Sequence, residues 1–319
     1  MVSRKPQVAS CKPHNKENKL IFLVGPTAAG KTEIAVLLAK KLNAEIISCD
    51  SMQVYKGMDI ITSKPDEAIK QKAPHYLIDI ISPTKEYNVS RYRRDALRYI
   101  KHILSKKKVP LLVGGTGLYM SILIDGIFKE KTQCPQVRRH FYKEAQQYGS
   151  KFLYEQLQKV DSQAAAKIHP NDTRRIVRAL EVFKATGKPI SQLQKQRSGL
   201  AKDYDIRIFC LNMERDALYK RVDERVDKMF ALGLKAEAGS LLKKKLSKTA
   251  SLAIGIRELK GYFDGLYDLE EAKRLIKRNT RQYAKRQLTW FKKDKRIEWI
   301  DIGKDKPKEV ADNIWKKLF

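Results

Sequence analysis

The stretch LIFLVGPTAAGKTEIAVLLAKKL, residues 20–42, restricts the fold of this chain more than any other segment. An apolar run ends in GPTAAGKT, and apolar residues then recur at helical spacing at Ile34, Leu37, Leu38 and Leu42. Such a strand, glycine loop and helix form a phosphate-binding loop, or P-loop, in which backbone N–H groups face a phosphate at a helix N-terminus. We therefore predict an α/β protein that binds a phosphorylated ligand.

Further strands and helices are expected along the chain. A helix is predicted from Arg91 to about Lys106, with Ser90 as its N-cap, and another at the end of the chain. Buried strands are predicted at residues 44–51, 76–80, 109–116, 205–213 and 296–302. Strands that alternate with helices indicate a parallel sheet, so the predicted fold class is a P-loop, doubly wound α/β sheet with a helical insertion domain.

The sequence pattern changes between residues 127 and 200, where helical stretches replace strands and 15 basic residues accompany 6 acidic ones. We predict that residues 127–200 form a helical, basic insertion. Residues 20–126 and 201–319 are predicted to build the P-loop core, with a helical C-terminal part. Residues 1–19 are polar and basic, and we expect a disordered tail there.

The charge of the chain is strongly positive, because 66 Lys and Arg residues against 36 Asp and Glu give a net charge of +30. A solubility bias explains such a charge as well, but an excess of this size favours a polyanionic partner such as nucleic acid. No apolar run approaches the roughly 20 residues of a membrane-spanning helix. The four cysteines lack the spacing of a zinc site or a disulfide framework. We expect a cytoplasmic monomer without a membrane segment.

The P-loop itself carries the first candidate functional residues. Lys31 supplies positive charge and the Thr32 hydroxyl is a candidate Mg²⁺ ligand, whereas Ala29 offers no hydroxyl. No NKxD motif and no clear acidic Walker B position are present, which argues against a GTPase and weakens an ATPase interpretation. The predicted phosphate-binding residues are Gly25, Pro26, Thr27, Ala28, Ala29, Gly30, Lys31 and Thr32.

Two other predicted strands end in polar residues that we expect near the bound phosphates. Asp50 follows the second strand, and Thr116 lies in GGTGLY after a later one. Ligands of open parallel sheets bind beyond the carboxyl ends of the strands. Asp50 is therefore a candidate general base, although its position also suits a carboxylate near Mg²⁺ or the cap of a following turn. Thr116 either hydrogen-bonds a substrate or belongs to an ordinary strand-to-helix turn.

Six motifs occur in an order that resembles the tRNA dimethylallyltransferase family. They are GPTAAGKT, DSMQVYKGMDI, LLVGGTGLY, HPNDTRRIVRALEV, RVDKMFALG and TRQYAKRQLTWF, and together they span residues 25–291. Several motifs in one order are more specific than a lone P-loop. The length of the chain and the lack of a Cys/His zinc module near its C-terminus resemble the bacterial type.

The resemblance implies a reaction and roles for several residues. A dimethylallyl group would move from dimethylallyl diphosphate to N6 of adenosine 37, which is 3′ of the anticodon, in tRNAs that read codons beginning with U. Asp50 would act as the base and Thr116 would orient the amine, while Lys31, the loop amides and Mg²⁺ stabilise the leaving diphosphate. Arg225 is a further candidate clamp, with a solvent-exposed helix salt bridge as an equal alternative.

The same resemblance implies contacts with the tRNA anticodon stem-loop. The target base must leave its stack to reach a buried site, so the protein must grip the surrounding RNA. The implied contact residues are Asp50, Ser51, Met52, Gln53, Thr116, Arg138, Arg174, Arg175, Ile176, Val177 and Arg178.

A second basic surface follows from helical periodicity. Residues 273–296 contain 11 basic residues and one acidic residue, Asp294. One helix face carries Ala272, Ile276, Tyr283 and Trp290 and is predicted to pack on the core. The opposite face is a dense basic stripe that this segment does not neutralise, which favours RNA binding over simple solvation. The stripe consists of Arg274, Arg278, Arg281 and Lys285.

Three other functions remain open from the sequence. A nucleoside or nucleotide kinase would use the same P-loop, with arginines over the ATP phosphates and a small acceptor site. An isopentenyltransferase for free adenine nucleotides would modify AMP and would not need the basic insertion. An RNA-binding nucleotide switch would bind a nucleoside triphosphate tightly and release no product.

Overall fold

The structure is a computed structural model that describes residues 18–128, 132, 134–303 and 305–319. Most of the predicted tail lies outside these residues, and Lys19 is already the first residue of a strand. The chain divides into two compact units. We call Met1–Leu123 with Asp203–Phe319 the core unit, and Ile124–Lys202 the insertion unit.

The core unit is built on a parallel sheet. In the part of the chain that the structure describes, its strands are β1 (Lys19–Val24), β2 (Ala44–Ser48), β3 (His75–Tyr76), β4 (Val109–Gly114), β5 (Asp205–Asn212) and β6 (Ile297–Asp301). The six strands pair in parallel in the order β3-β2-β4-β1-β5-β6. The central strand β1 is buried along nearly its whole length, as its continuous apolar sequence requires. The predicted fold class is confirmed.

Helices account for most of the remaining described residues. They are α1 (Lys31–Leu42), α2 (Glu67–Lys72), α3 (Val89–Ser105), α4 (Gly117–Asp125), α5 (Pro135–Val160), α6 (Ser162–Ala165), α7 (Thr173–Thr186), α8 (Ile190–Lys195), α9 (Arg215–Ala231), α10 (Leu234–Leu242), α11 (Ile256–Phe263), α12 (Leu269–Phe291) and α13 (Pro307–Lys316). Helices α1 and α13 share one hydrophobic core with the sheet, formed around Ile34, Leu38 and Ile314. No described helix is both long and apolar enough to span a membrane.

Two local predictions about secondary structure are wrong. The N-cap of α3 is Asn88, whose side chain accepts a hydrogen bond from Arg91 N at 3.0 Å, so Ser90 lies inside the first helical turn. The strand predicted over residues 76–80 contributes only Tyr76 to β3. Leu77 and Asp79 adopt positive φ angles of 63° and 57°, and these angles take the chain out of the sheet ladder.

The insertion unit contains α5 to α8 and has a hydrophobic core of its own. Leu153 and Leu157 of α5 pack in this core with Ile176, Val177 and Leu180 of α7. The predicted insertion, residues 127–200, lies within this unit. The amphipathic periodicity of α7 buries one side and leaves its arginines on the other.

Candidate active site

The P-loop connects β1 to α1 through backbone conformations that favour small residues. Gly25 and Gly30 have φ angles of 148° and 76°, and Ala28 is left-handed at 66°. A left-handed alanine stores backbone strain of the kind found at ligand-binding sites. Gly30 is the N-cap of α1, so the unpaired N–H groups and the positive end of the helix dipole are presented to an anion there.

Lys31 is held against the loop by backbone carbonyls. Its ammonium donates to Gly25 O at 3.0 Å and to Pro26 O at 2.6 Å. Burial and the positive charge of Arg225 lower the pKa of Lys31 to about 8, although Asp50 acts in the opposite direction. A bound phosphate group would supply the anion that this partly desolvated ammonium lacks.

Arg225 belongs to the same charge cluster. It lies on α9 and is half-buried, and among the described residues it makes no salt bridge. Burial lowers the pKa of Arg225, and the carboxylate of Asp50 raises it. The solvent-exposed helix salt bridge considered for Arg225 is therefore wrong, because the side chain is half-buried and has no ion pair among the described residues.

The carboxyl ends of β2 and β4 are joined by backbone contacts that bring Asp50 and Thr116 together. Thr116 N donates to Cys49 O at 3.2 Å, and Ser51 N donates to the Thr116 hydroxyl at 3.1 Å. A Cβ at Gly114 would lie 2.1 Å from Cys49 O, so only glycine permits this approach. The contact between neighbouring parallel strands explains why two residues 66 positions apart share one site.

Asp50 uses one carboxylate oxygen to cap the turn that follows it. Its Oδ1 accepts from Met52 N at 2.8 Å and from Gln53 N at 3.3 Å. Within the described chain, Oδ2 has no hydrogen-bond partner. The capping role considered from the sequence is present, and it leaves the second oxygen available for a proton.

Two residues of α12 reach the site and were not predicted to do so. Tyr283 lies beside the Thr116 side chain, and burial raises the pKa of Tyr283. The Gln287 amide contacts both Thr27 of the P-loop and Gly115. The sequence did contain one signal for Gln287, which is a polar residue close to the predicted apolar face of α12. Buried polar side chains are exceptional and often have a specific partner.

In the insertion unit, two of the arginines assigned to tRNA hold a buried carboxylate. Arg138 and Arg178 both donate to Glu181 Oε2 at 2.8 Å, and Arg178 also donates to Thr132 O at 2.8 Å. Burial opposes ionisation of Glu181, but the hydrogen bonds from the two arginines lower the pKa of its carboxyl. These arginines therefore stabilise the insertion unit itself.

The neighbouring residues of α7 differ in their access to RNA. The side chains of Ile176 and Val177 are fully buried in the core of the insertion unit, so the predicted tRNA contact of this segment falls to its exposed arginines. Arg175 is exposed and pairs with Asp172 at 2.5 Å. Arg174 is exposed and has no ion pair among the described residues.

The basic stripe of α12 is only partly as predicted. Arg274 pairs with Glu271 at 2.6 Å and Arg281 pairs with Asp223 of α9 at 2.6 Å, so the expectation of an unneutralised stripe is wrong for both. Arg278 and Lys285 are exposed without a salt bridge in the described part of the chain. Trp290, which was predicted to pack on the core, is 45% exposed.

The fold and the site together define a P-loop α/β protein with a candidate base at the sheet edge beside its phosphate-binding loop. Comparison with known proteins identifies the family. The model of the family described as "IPP transferase" matches residues 53–294, and that of "Isopentenyl transferase" matches residues 18–87. The chain is 46% identical to a tRNA dimethylallyltransferase of Halothermothrix orenii over 94% of this chain and 92% of the relative.

Solved structures agree with the sequence comparison. A full-length tRNA isopentenylpyrophosphate transferase from Bacillus halodurans is similar with a TM-score of 0.70 and 40% identity, covering 95% of this chain and 97% of that one. A eukaryotic dimethylallyltransferase acting on tRNA is similar with a TM-score of 0.76 and 30% identity, covering 90% and 74%. This chain belongs to the IPP transferase family, that of the tRNA dimethylallyltransferases.

Proposed function

We propose that this protein transfers the dimethylallyl group of dimethylallyl diphosphate to N6 of adenosine 37 in tRNAs that read codons beginning with U. The relatives described above are named for dimethylallyl or isopentenyl transfer to tRNA. The observation that carries the proposal is the meeting of Asp50 and Thr116 at the sheet edge, next to the charges of the P-loop.

The proposed chemistry needs a base, because the lone pair of adenine N6 is delocalised into the ring and is a poor nucleophile. The uncapped oxygen of Asp50 takes a proton from N6 while N6 attacks C1 of the dimethylallyl group. The N6–C1 bond forms as the bond from C1 to the diphosphate oxygen breaks. Thr116, fixed by the Ser51 N–H group, is assigned to orient the amine.

The leaving diphosphate gains negative charge as it departs, and the P-loop supplies the opposing charges. We assign this role to Lys31, Arg225 and the N–H groups at the start of α1. The described residues contain no group of three or more His, Cys, Asp or Glu side chains that could enclose a metal. We assign Thr32 of the P-loop as the side chain that would hold Mg²⁺, which when bound would neutralise part of the diphosphate charge.

The tRNA partner requires an exposed basic surface. We assign RNA contacts separately in each unit to exposed basic side chains that have no ion pair among the described residues: Arg174 in the insertion unit, and Arg278 and Lys285 of α12 in the core unit. The residues beside the base, Ser51, Met52 and Gln53, are half-buried and are assigned to the flipped nucleotide. We also propose that the protein acts in the cytoplasm as a monomer. The described cysteines, Cys49, Cys134 and Cys210, are free thiols, as is usual for proteins of that compartment.

The test is transfer of radiolabel from dimethylallyl diphosphate, with Mg²⁺, to an unmodified anticodon stem-loop that has adenosine 3′ of the anticodon. The diagnostic variant is Asp50→Asn, because an asparagine oxygen can still cap the turn while the base is lost. We expect a rate loss of roughly 10²- to 10⁴-fold with folding retained. The matched control is Asp66→Asn, the same change at the exposed N-cap of α2.

The alternatives give different results in parallel reactions that contain AMP in place of the RNA, or ATP in addition to it. Label on AMP instead of RNA would indicate an isopentenyltransferase for free nucleotides. ATP turnover without labelled RNA would indicate a kinase and would refute the proposal. An Asp50→Asn variant as fast as the Asp66→Asn control would remove Asp50 from the mechanism while leaving the transferase assignment in place.

A further inference from the structure

The carboxamide of Gln287 joins two loops that are far apart in sequence. Its Oε1 accepts a hydrogen bond from Thr27 N at 2.9 Å, and its Nε2 donates to Gly115 O at 2.9 Å. Thr27 belongs to the P-loop, and Gly115 precedes Thr116 at the end of β4. The side chain is 6% exposed. One buried amide therefore connects the loop assigned to the diphosphate with the turn assigned to the amine.

The surrounding backbone is shaped to receive this amide. A Cβ at Gly115 would lie 2.0 Å from Gln287 Nε2 and 3.3 Å from Gly25 O. A side chain at position 115 would push the amide away and would crowd the P-loop. Gly115 therefore provides the space in which Gln287 reaches both partners.

The two hydrogen bonds require both halves of an amide. The Thr27 N–H group needs an acceptor and the Gly115 carbonyl needs a donor, and a glutamine side chain offers one of each. Ionised glutamate would place a second acceptor against the Gly115 carbonyl, and methionine would satisfy neither group. A buried backbone group left without its partner is unfavourable, so either change is expected to shift one loop relative to the other.

Other side chains of α12 support the same arrangement. Tyr283 lies one turn before Gln287 and beside the Thr116 side chain. Trp290 lies one turn after it, and its ring is so close that a Cβ at Gly117 would be 2.2 Å from the indole. One stripe of α12 thus contacts three successive parts of the GGTG turn, and Gln287 alone among these three side chains also binds the P-loop.

We propose that Gln287 is a positioning residue for the transfer reaction, which holds the P-loop and the Gly115–Thr116 segment at the spacing that the reacting carbon and nitrogen need. The inference rests on the proposed function and goes beyond it, since Gln287 touches neither reacting atom. Positioning residues act on the rate of the chemical step, because a shift of about 1 Å in reactant geometry costs roughly 10²-fold in rate.

The experiment measures single-turnover label transfer at saturating dimethylallyl diphosphate and stem-loop RNA, together with the Kd of each substrate. We expect Gln287→Glu and Gln287→Met to lower the rate roughly 100-fold while each Kd stays within about 3-fold of wild type. The matched control is Gln71→Glu, the same chemical change at an exposed position of α2, which keeps the wild-type rate. Circular dichroism and the stoichiometry of substrate binding report the folded fraction.

A double-mutant cycle tests the contact separately. Gly115→Ala alone is expected to lower the rate, because its methyl group displaces the Gln287 amide. In a Gln287→Ala background the space is free, so Gly115→Ala should cost much less than it costs alone. Additive effects would overturn the proposed contact.

The remaining outcomes separate this inference from the proposed function. If wild type labels the RNA and the Gln287 variants match its rate, the inference is overturned alone. A loss that follows the folded fraction, or one that appears as a weaker Kd with an unchanged rate, also overturns it. If wild type leaves the RNA unlabelled, the proposed function falls and this inference falls with it.

Discussion

The lowered pKa of Lys31 predicts how binding of dimethylallyl diphosphate depends on pH. Burial and the neighbouring Arg225 lower this pKa to about 8, so the free protein loses the ammonium charge at mildly alkaline pH. With that pKa, about 90% of the side chain is charged at about pH 7 and about 10% at about pH 9. An uncharged Lys31 loses its charge-assisted hydrogen bonds to the diphosphate, which contribute about 2 kcal/mol, or roughly 30-fold in affinity.

Calorimetric Kd values for dimethylallyl diphosphate, measured without RNA between about pH 6.5 and pH 9.5, should weaken through a midpoint at the pKa of the free lysine. Two variants should move the midpoint in opposite directions. Arg225→Met removes a charge that lowers the pKa of Lys31, so the midpoint rises even as affinity falls. Asp50→Asn removes a charge that raises this pKa, so the midpoint falls.

Two results would refute this reasoning. An affinity that stays flat across the pH range would show that the charge of Lys31 does not contribute to diphosphate binding. Midpoints that shift in the same direction in both variants would show that Arg225 and Asp50 do not act on Lys31 through their charges. Lys31→Met serves as the control, since its affinity should be low and should lose the alkaline transition.

Three further predictions concern stability and RNA. Hydrogen bonds from Lys108, Tyr76 and Lys106 outweigh burial and lower the pKa of Glu45 to about 2, so Glu45 stabilises the fold above about pH 4.5 and this contribution disappears as the pH falls towards 2. In urea unfolding at neutral pH, Glu45→Gln should lower the free energy of unfolding by about 2 kcal/mol. This value allows for solvent screening, because Lys106 and Lys108 are partly exposed. Near pH 2 the substitution should have no effect on stability. Arg278→Ala should reduce the steepness of log RNA affinity plotted against log salt concentration by about 1. Arg281→Ala should hardly change this slope, because Arg281 already pairs with Asp223. Glu237 accepts from three backbone N–H groups, those of residues 59–61, so Glu237→Ala should lower unfolding free energy by about 2 kcal/mol, and Glu237→Gln by less. Equal costs for the two Glu237 variants would contradict that account.

The parts of the site that sequence reasoning found share one property, which is that each is encoded locally. The P-loop is a continuous stretch, and Asp50 and Thr116 each follow an apolar strand directly. The order of strands in parallel sheets then places such strand ends at one edge. The rule for open sheets was sufficient to place Asp50 and Thr116 together, whereas Arg225 on α9 was predicted from the family resemblance.

The residues that were missed depend on pairings across long stretches of chain. Gln287 meets Thr27 at a separation of 260 residues, and no local pattern encodes this contact. The same limit explains the error about the basic stripe, since the partner of Arg281 is Asp223 on another helix. Ile176 and Val177 were predicted to contact tRNA because they belong to the motif HPNDTRRIVRALEV. Helical periodicity, however, places both residues on the buried side of α7.

Helix α12 shows why a prediction of one apolar face and one basic face can be too simple for a long helix. Its 23 residues present three stripes, one towards the sheet edge, one towards the acidic residues of α9 and one to solvent. Tyr283 and Gln287 lie on the first, Lys277 and Arg281 on the second, and Arg278 and Lys285 on the third. Because these roles alternate at helical spacing, neighbouring substitutions in α12 should act on different measurements. Changes at position 287 should alter the rate, changes at position 278 should alter RNA affinity, and changes at position 277 should alter stability.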